Sequence, residues 1–430
     1  MSATLGPLGE GGQVIIIGGG PGGVGCALAL QRLARQMGRS IEITIVEGKQ
    51  FTRERHYNQC AGVLSPPLPS LMEEELELPF PYHLSRDEIQ GYILHTDREQ
   101  VTLHETGAPS IALRRVQFDA YMLESARERG IAIRQARVVD MEILDSHAVV
   151  YTENAPLKAD VVVGAFGLDE GTGAMFARLT DYRPPKALIS VVTKFHPGDD
   201  AMHAFGDFIH AFLLSNKRIE FGAVTPKGNH LTINIAGERV DIPTMQSFLH
   251  SPAAHKVLPN LTSAGEYDAG DLRFFKGRFP RSLAKHYYGN RYVMVGDAAG
   301  LVRAFKGKGV TSAVLTGIRA AHTILEAGIS QEAFHQHYRQ ANMDIISDLP
   351  YGQVMRFFTN RFSRYHLLDP VVRAAQTNPH LEQSLFDAVS AHASYRQVMG
   401  KMLRPDVVRD IVGEMLGVRK GATVQTEEAT

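Results

Sequence analysis

Gln13 to Gly25 reads QVIIIGGGPGGVG. Val14 to Ile17 form the unbroken apolar run that a parallel strand buried on both faces requires. Gly18, Gly20 and Gly23 then fall at the G-x-G-x-x-G spacing, ahead of an alanine- and leucine-rich helix expected from Pro21 to Met37. The first glycine permits the tight turn, the second lets backbone amides approach a pyrophosphate, and the third lets the helix pack closely on the strand. The phosphates would lie at the helix N-terminus, where unsatisfied N–H groups and the helix dipole favour an anion. A second β-branched run, Ile41 to Val46, delivers Glu47 at its carboxyl end, where an acid accepts hydrogen bonds from ribose hydroxyls. Strand, glycines, helix, strand and acid in this order point to a dinucleotide site.

Composition narrows the remaining choices. The 430 residues, 44% of them hydrophobic, suffice for two or three packed domains. Lysine and arginine number 45 against 46 acids, a net charge of −1 that leaves no electrostatic footprint for nucleic acid. The first residues lack a basic segment followed by an apolar core, and no run approaches the roughly 18 apolar residues of a membrane span, so a cytoplasmic protein is expected. Cys26 and Cys60 are the only cysteines, which excludes a disulfide scaffold and a four-cysteine metal site. The 18 histidines show no H-E-x-x-H spacing, and no metal site is expected.

Along the chain, Phe51 to Leu64 is dense in polar and cationic groups and reads as a functional loop beside the cofactor, with Cys60-Ala-Gly62 offering a small backbone to a ring. Cys26, among alanines and leucines, belongs to the core. Phe118, Met122 and Ala126 share one face of a helix that Gly130 closes. Val138–Leu144, Ala148–Thr152 and Asp160–Phe166 read as a three-stranded meander, the last returning to the nucleotide site. Ala187–Phe195, His203–Leu214, Ile219–Val224 and His230–Ala236 read as an antiparallel sheet, and Arg291 to Asp297 restores a buried parallel strand. The expected architecture is α/β: a discontinuous Rossmann-type domain (1–65, 100–185 and 275–330), an antiparallel-sheet substrate domain (66–99 and 186–274), a helical region (331–420) and a disordered tail (421–430).

Four separated segments carry a family resemblance. The chain resembles the FAD-dependent oxidoreductases of the geranylgeranyl reductase family, which share the p-hydroxybenzoate hydroxylase fold. The resemblance implies that Gly18, Gly20, Gly23 and Glu47 bind the ADP part of FAD. It implies that Arg115, in the R-x-x-F-D match Arg115-Val-Gln-Phe118-Asp119, reaches the cofactor. Asp297, in Gly296-Asp297-Ala298-Ala299-Gly300, would hold the ribityl chain. The loop that follows, with Gly307 and Gly309 flanked by Lys306 and Lys308, opens a helix whose N-terminus suits the negative charge of a reduced flavin. Cys60-Ala61-Gly62 matches the family's C-x-G near the flavin, which makes Cys60 a candidate catalytic residue. Two departures stand out. The family's D-G pair reads Phe166-Gly167, and its Y-x-W-x-F-P segment is reduced to Glu220-Phe-Gly-Ala-Val-Thr-Pro226.

The resemblance implies a flavin reductase of carbon–carbon double bonds in an apolar, isoprenoid- or lipid-like substrate, with NAD(P)H as a transient reductant because no second G-x-G-x-x-G is present. A lipid substrate would also bring the protein into peripheral contact with a membrane. The alternatives are a monooxygenase of aromatic or polyketide substrates and an electron-transfer or non-redox flavoprotein. A halogenase is a poor third after the reductase and the monooxygenase, since that class relies on a tryptophan motif and the chain has no tryptophan. The pocket is expected between the cofactor and the sheet of residues 187 to 236, closed by the segment Val354 to Phe362.

Overall fold

The computed structural model describes residues 5–50, 60–258, 272–302, 308–390 and 393–417. Gln13–Ile17 lies inside a six-stranded sheet ordered Tyr288–Gly289, Tyr292–Met294, Val161–Gly164, Gln13–Ile17, Glu42–Val46, Ala132–Arg134. Every neighbouring pair is parallel except the short edge pair Tyr288–Gly289 with Tyr292–Met294. Val14 to Ile17 are all buried, as a strand covered on both faces must be. The glycine-rich helix runs from Pro21 to Gln36, with proline in its first turn, where its missing N–H costs nothing. Helix Arg115–Glu128 buries Phe118, Met122 and Ala126 in the same core. The α/β architecture is therefore as expected.

The seven-stranded sheet is ordered Phe274–Pro280, Ala187–Phe195, Leu231–Gly237, Phe221–Pro226, Phe208–Phe212, Gly91–His95, Gln100–His104. Only Phe208–Phe212 with Gly91–His95 is parallel. Side chains alternate between its faces. Val191, Phe195, Phe212, Val224, Ile233 and Ile235 pack with Met245 and Phe248 of helix Ile242–Leu249. The other face carries the row Asn234, Ala223, Ala211, Leu94, side by side across four strands. Beyond it, helices Leu368–Ala375, Pro379–Ser390 and Pro405–Met415 pack onto Tyr92, Val101 and Leu103 through Val372, Leu381, Phe386 and Val407.

Three expectations are corrected. The meander is completed by Pro156–Ala159, not by Asp160–Phe166; Val161–Gly164 crosses into the parallel sheet beside Gln13–Ile17. His203–Leu214 is not one strand. A short helix, Asp199–Phe205, with two aspartates in its first turn, ends at Gly206 (φ +72°), and the strand begins only at Phe208. The boundaries drawn at 100 and 275 cut through a sheet, because Gln100–His104 is the hairpin partner of Gly91–His95 and Phe274–Pro280 pairs with Ala187–Thr193. The tail 421–430 lies outside the described residues.

Candidate active site

The three glycines of the loop are required for different reasons. A side chain on Gly18 (φ +111°) would meet the Ala165 carbonyl oxygen at 2.4 Å, and one on Gly23 would meet the Gly18 carbonyl oxygen at 2.0 Å. A Cβ on Gly20 would meet nothing within 4 Å. Gly18 and Gly23 are demanded by the fold, whereas the open space before Gly20 is room for a ligand. That space lies at the N-terminus of helix Pro21–Gln36, whose cap has no side-chain hydrogen bond, so its N–H donors suit a pyrophosphate. Glu47 is buried against the loop, its carboxylate accepting the Gly19 N–H and the Lys49 N–H, each at 2.7 Å. Two hydrogen bonds fix its orientation and leave lone pairs for ribose hydroxyls.

Across the cavity, Gly296 (φ +58°) donates its N–H to Thr316 Oγ1 at 2.9 Å, which turns the chain so that Asp297 lines the cavity. Burial raises the Asp297 carboxyl to about 6, with the Arg115 guanidinium pulling the other way. Arg115 donates to Asp119 at 2.7 Å. Burial opposes its charge, but Asp119, Cys60 and Asp297 outweigh that and hold it above its ordinary value. The structure thus brings Arg115, Cys60 and Asp297, far apart in sequence, into one electrostatic neighbourhood.

Gly309 begins helix Gly309–His322 and, with Val310, lines the same cavity. This helix crosses the first at very close range: a Cβ on Gly317 would meet the Gly22 carbonyl oxygen at 2.4 Å, and one on Gly25 the Val314 Cα at 3.3 Å. Two helix N-termini therefore face one space, an arrangement that favours a dinucleotide's negative charges. Gly22, Gly25 and Gly317 are structural residues that the motif reading missed, although their small size on facing helices was the available signal. Lys308 donates to the Pro66 carbonyl oxygen at 2.9 Å. Gly307 and Lys306 lie outside the described residues, as does 51–59 of the expected functional loop.

Cys60 is half-buried on the cavity wall, its sulfur accepting the Gly62 N–H at 3.3 Å. Gly62 (φ +72°) leaves space that a Cβ would contest with Lys227 Nζ at 2.5 Å. Lys227 was not singled out by sequence; its signal was the Pro226-Lys-Gly228 turn directly after a strand. Burial lowers its ammonium to about 8, with Cys60 opposing and Lys194 and Arg114 adding to the shift. Beside it, burial and then the Lys227 charge push His230 down to about 3. His230 Nε2, Thr232 Oγ1 and Asn234 Oδ1 are buried without a hydrogen-bond partner among the described residues, and Asn234 lines the cavity. Phe166, which replaces the family's aspartate, stacks on Phe176 at 5.5 Å and 18° and also lines the cavity.

A test of the buried lysine follows from linkage. Between pH 8 and about 10.5 the unfolded chain holds a proton on Lys227 that the folded chain has lost, so stability rises with pH across that window. Below pH 8 the burial penalty is fully present. Lys227→Met is therefore expected to stabilise the cofactor-free protein at pH 7 by up to about 3 kcal/mol, a gain that disappears near pH 10.5. Urea unfolding at the two pH values measures it, and a gain independent of pH would mean the ammonium is not buried.

The cavity measures about 1340 Å³. It runs from Gly18, Gly20 and Glu47, past Cys60 and Arg115, to the Ala211 and Ala223 row, and onward to Met355, Phe358, Phe362 and Met402. Ordinary ligand pockets hold roughly 300–1,000 Å³. This one has room for a dinucleotide and a second compound.

No family model matches the chain. The geranylgeranyl diphosphate reductase of Synechocystis sp. is 23% identical over 333 residues, 73% of this chain and 75% of that protein. The chloroplastic geranylgeranyl diphosphate reductase of Nicotiana tabacum is 23% identical over 334 residues, covering 66% of that protein. Among solved structures, a geranylgeranyl bacteriochlorophyll reductase-like protein from Thermoplasma acidophilum superposes with a TM-score of 0.71 at 15% identity, over 95% of this chain and 100% of that one. A variant of the halogenase PltM in complex with FAD gives 0.62 at 14% identity, over 92% and 87%. Fold and sequence together define an FAD-dependent oxidoreductase. Within that class the chain is similar, at low identity, to the geranylgeranyl reductase-like enzymes.

Proposed function

We propose that the enzyme reduces carbon–carbon double bonds in a long, apolar, isoprenoid- or lipid-like substrate. The observation that carries this reading is the far half of the cavity. Asn234, Ala223, Ala211 and Leu94 make a wall that is small at its centre, and Met355, Phe358, Phe362 and Met402 face it from the C-terminal helices. Such walls accept methylene chains, exclude water and offer few polar anchors.

Bound FAD would supply the hydride chemistry. In this reading the chain's own residues position and screen it: amides at Gly20 hold the pyrophosphate, Glu47 the adenosine ribose and Asp297 the ribityl chain. Arg115 balances the Asp297 charge, and the helix N-terminus at Gly309 favours negative charge on the ring. Cys60 lines the passage between the two halves, where a proton must reach the substrate, and Lys227 is buried beside Gly62 on the same wall. NAD(P)H would act by transient docking. The oxygen-using readings, monooxygenase or halogenase, draw their support from the halogenase neighbour of the same fold. A non-redox or electron-transfer role leaves the apolar half without a purpose.

The deciding experiment is anaerobic. Protein reduced by dithionite is expected to reoxidise only when a prenyl alkene is added. In a parallel aerobic assay, NAD(P)H oxidation that is rapid, oxygen-dependent and indifferent to alkene would favour the monooxygenase. Ala223→Trp should fill the middle of the wall, keep FAD bound, and reduce turnover of a long alkene at least about tenfold while sparing a short one, because the lost contact is only with the chain. Equal loss for both lengths would separate the chain-binding role from this wall.

A further inference from the structure

Helix Leu349–Arg364 shows solvent the side a folded domain normally hides. Tyr351, Val354, Phe357 and Phe358 are 37%, 41%, 65% and 47% exposed, and Tyr365, just past the helix, is 56% exposed. Positions 351, 354, 358 and 365 recur at helical spacing on one face. Leu403 and Leu416, at 71% and 73%, and Met415 add to the apolar surface from the neighbouring helices. Phe358, Leu403 and Met415 also line the cavity, so this exposed surface is the rim of its opening.

The charge on the helix segment of this rim is one-sided. Residues 349–368 hold Arg356, Arg361 and Arg364 and no aspartate or glutamate. Arg356 turns inward to Glu220 and Glu238. Arg361 lies over the Tyr365 ring, 4.7 Å from its centroid, and Arg364 donates to the Lys217 carbonyl oxygen at 3.4 Å. Exposed aromatics with arginines and no carboxylates are the composition of a helix that lies in a membrane interface.

We infer that this face docks on an anionic lipid bilayer, so that the cavity opens directly onto the acyl region. A second copy of the chain fits less well, because a two-fold contact through this helix would bring the Arg361 and Arg364 charges of both copies into one interface while residues 349–368 supply no carboxylate to pair with them. Residues 418–430 have only Val418 and Val424 as large apolar groups with which to cover the patch. Among the described residues no helix is long and apolar enough to cross a membrane, so the contact is interfacial. The inference goes beyond the reductase reading, and its test uses no turnover.

The test is sedimentation of the full-length, FAD-loaded protein with vesicles of phosphatidylcholine alone or mixed with phosphatidylglycerol. The protein should pellet with the mixed vesicles and largely stay in solution with phosphatidylcholine, and high salt should weaken the binding. Phe357→Asp and Arg361→Glu, neither of which lines the cavity, should each lower partitioning about tenfold or more while leaving FAD content and melting temperature unchanged. The proposal is overturned if the protein ignores both vesicle types or if both variants pellet like the parent. A concentration-dependent dimer that Phe357→Asp abolishes would also overturn it, naming a second copy as the occupant.

Discussion

Gly20→Val is expected to give a folded protein that no longer holds FAD. Gly20 caps its helix at φ −75° and ψ 179°, an extended conformation that valine adopts readily, and no atom lies within 4 Å of the new Cβ. Folding therefore has no reason to notice the change. The pyrophosphate does, because the branched side chain fills the approach to the helix amides. Losing one or two charge-assisted hydrogen bonds of roughly 1.5–3 kcal/mol each lowers affinity on the order of a hundredfold or more. Gly23→Ala is the contrasting control: its Cβ would sit 2.0 Å from the Gly18 carbonyl oxygen, so stability falls first. Released-FAD absorbance and the melting temperature, read together, separate the two. Full FAD occupancy in Gly20→Val would remove the pyrophosphate from this loop.

Asp297→Asn is expected to stabilise the empty protein and weaken it as a flavoprotein. Burial holds the folded carboxyl at about 6, against 3.8 in an ordinary setting. Between those values the folded state keeps a proton that the unfolded chain has released, so stability falls as pH rises through the window and the cost is fully present at pH 7. Two pH units correspond to about 3 kcal/mol, and about 2 after allowance for partial exposure. Asparagine avoids that penalty. It also removes a charged acceptor for the ribityl hydroxyls, at a cost of roughly ten- to a hundredfold in FAD affinity. FAD-stripped protein should thus melt higher than the parent at pH 7 and no higher near pH 3.5. A lower melting temperature at pH 7 would mean that the carboxylate stabilises the empty site.

The parts of this site that were legible in the sequence are those whose chemistry is local. A glycine loop, an acid ending the next strand and a G-D-A-A-G turn each carry their reason within a few residues, so Gly18, Gly20, Glu47 and Asp297 could be named from spacing and family likeness. Lys227 and His230 could not. Their meaning depends on strand register, which sets Lys194 opposite Thr232, and on the close approach of Gly62 from a distant segment. The boundary at 100 failed for a similar reason. Nothing in Gln100–His104 announces that its hairpin partner Gly91–His95 pairs in parallel with Phe208–Phe212, more than a hundred residues onward. The run His203–Leu214 hid a helix because apolar residues support either period until Gly206 breaks the chain.

The crossing of Pro21–Gln36 with Gly309–His322 also sets when this protein can acquire its cofactor during synthesis. One helix leaves the ribosome some three hundred residues before the other, yet their glycines interlock and their ends bound one space. Strand Tyr292–Met294, which completes the parallel pairing beside Val161–Gly164, arrives equally late. The nucleotide-binding part of the molecule is thus begun some three hundred residues before it is completed, and a ligand that binds only the completed form shifts the balance toward it. In a cell short of FAD, newly made chains would wait longest at this step, with the core around Cys26 still open and exposed to degradation.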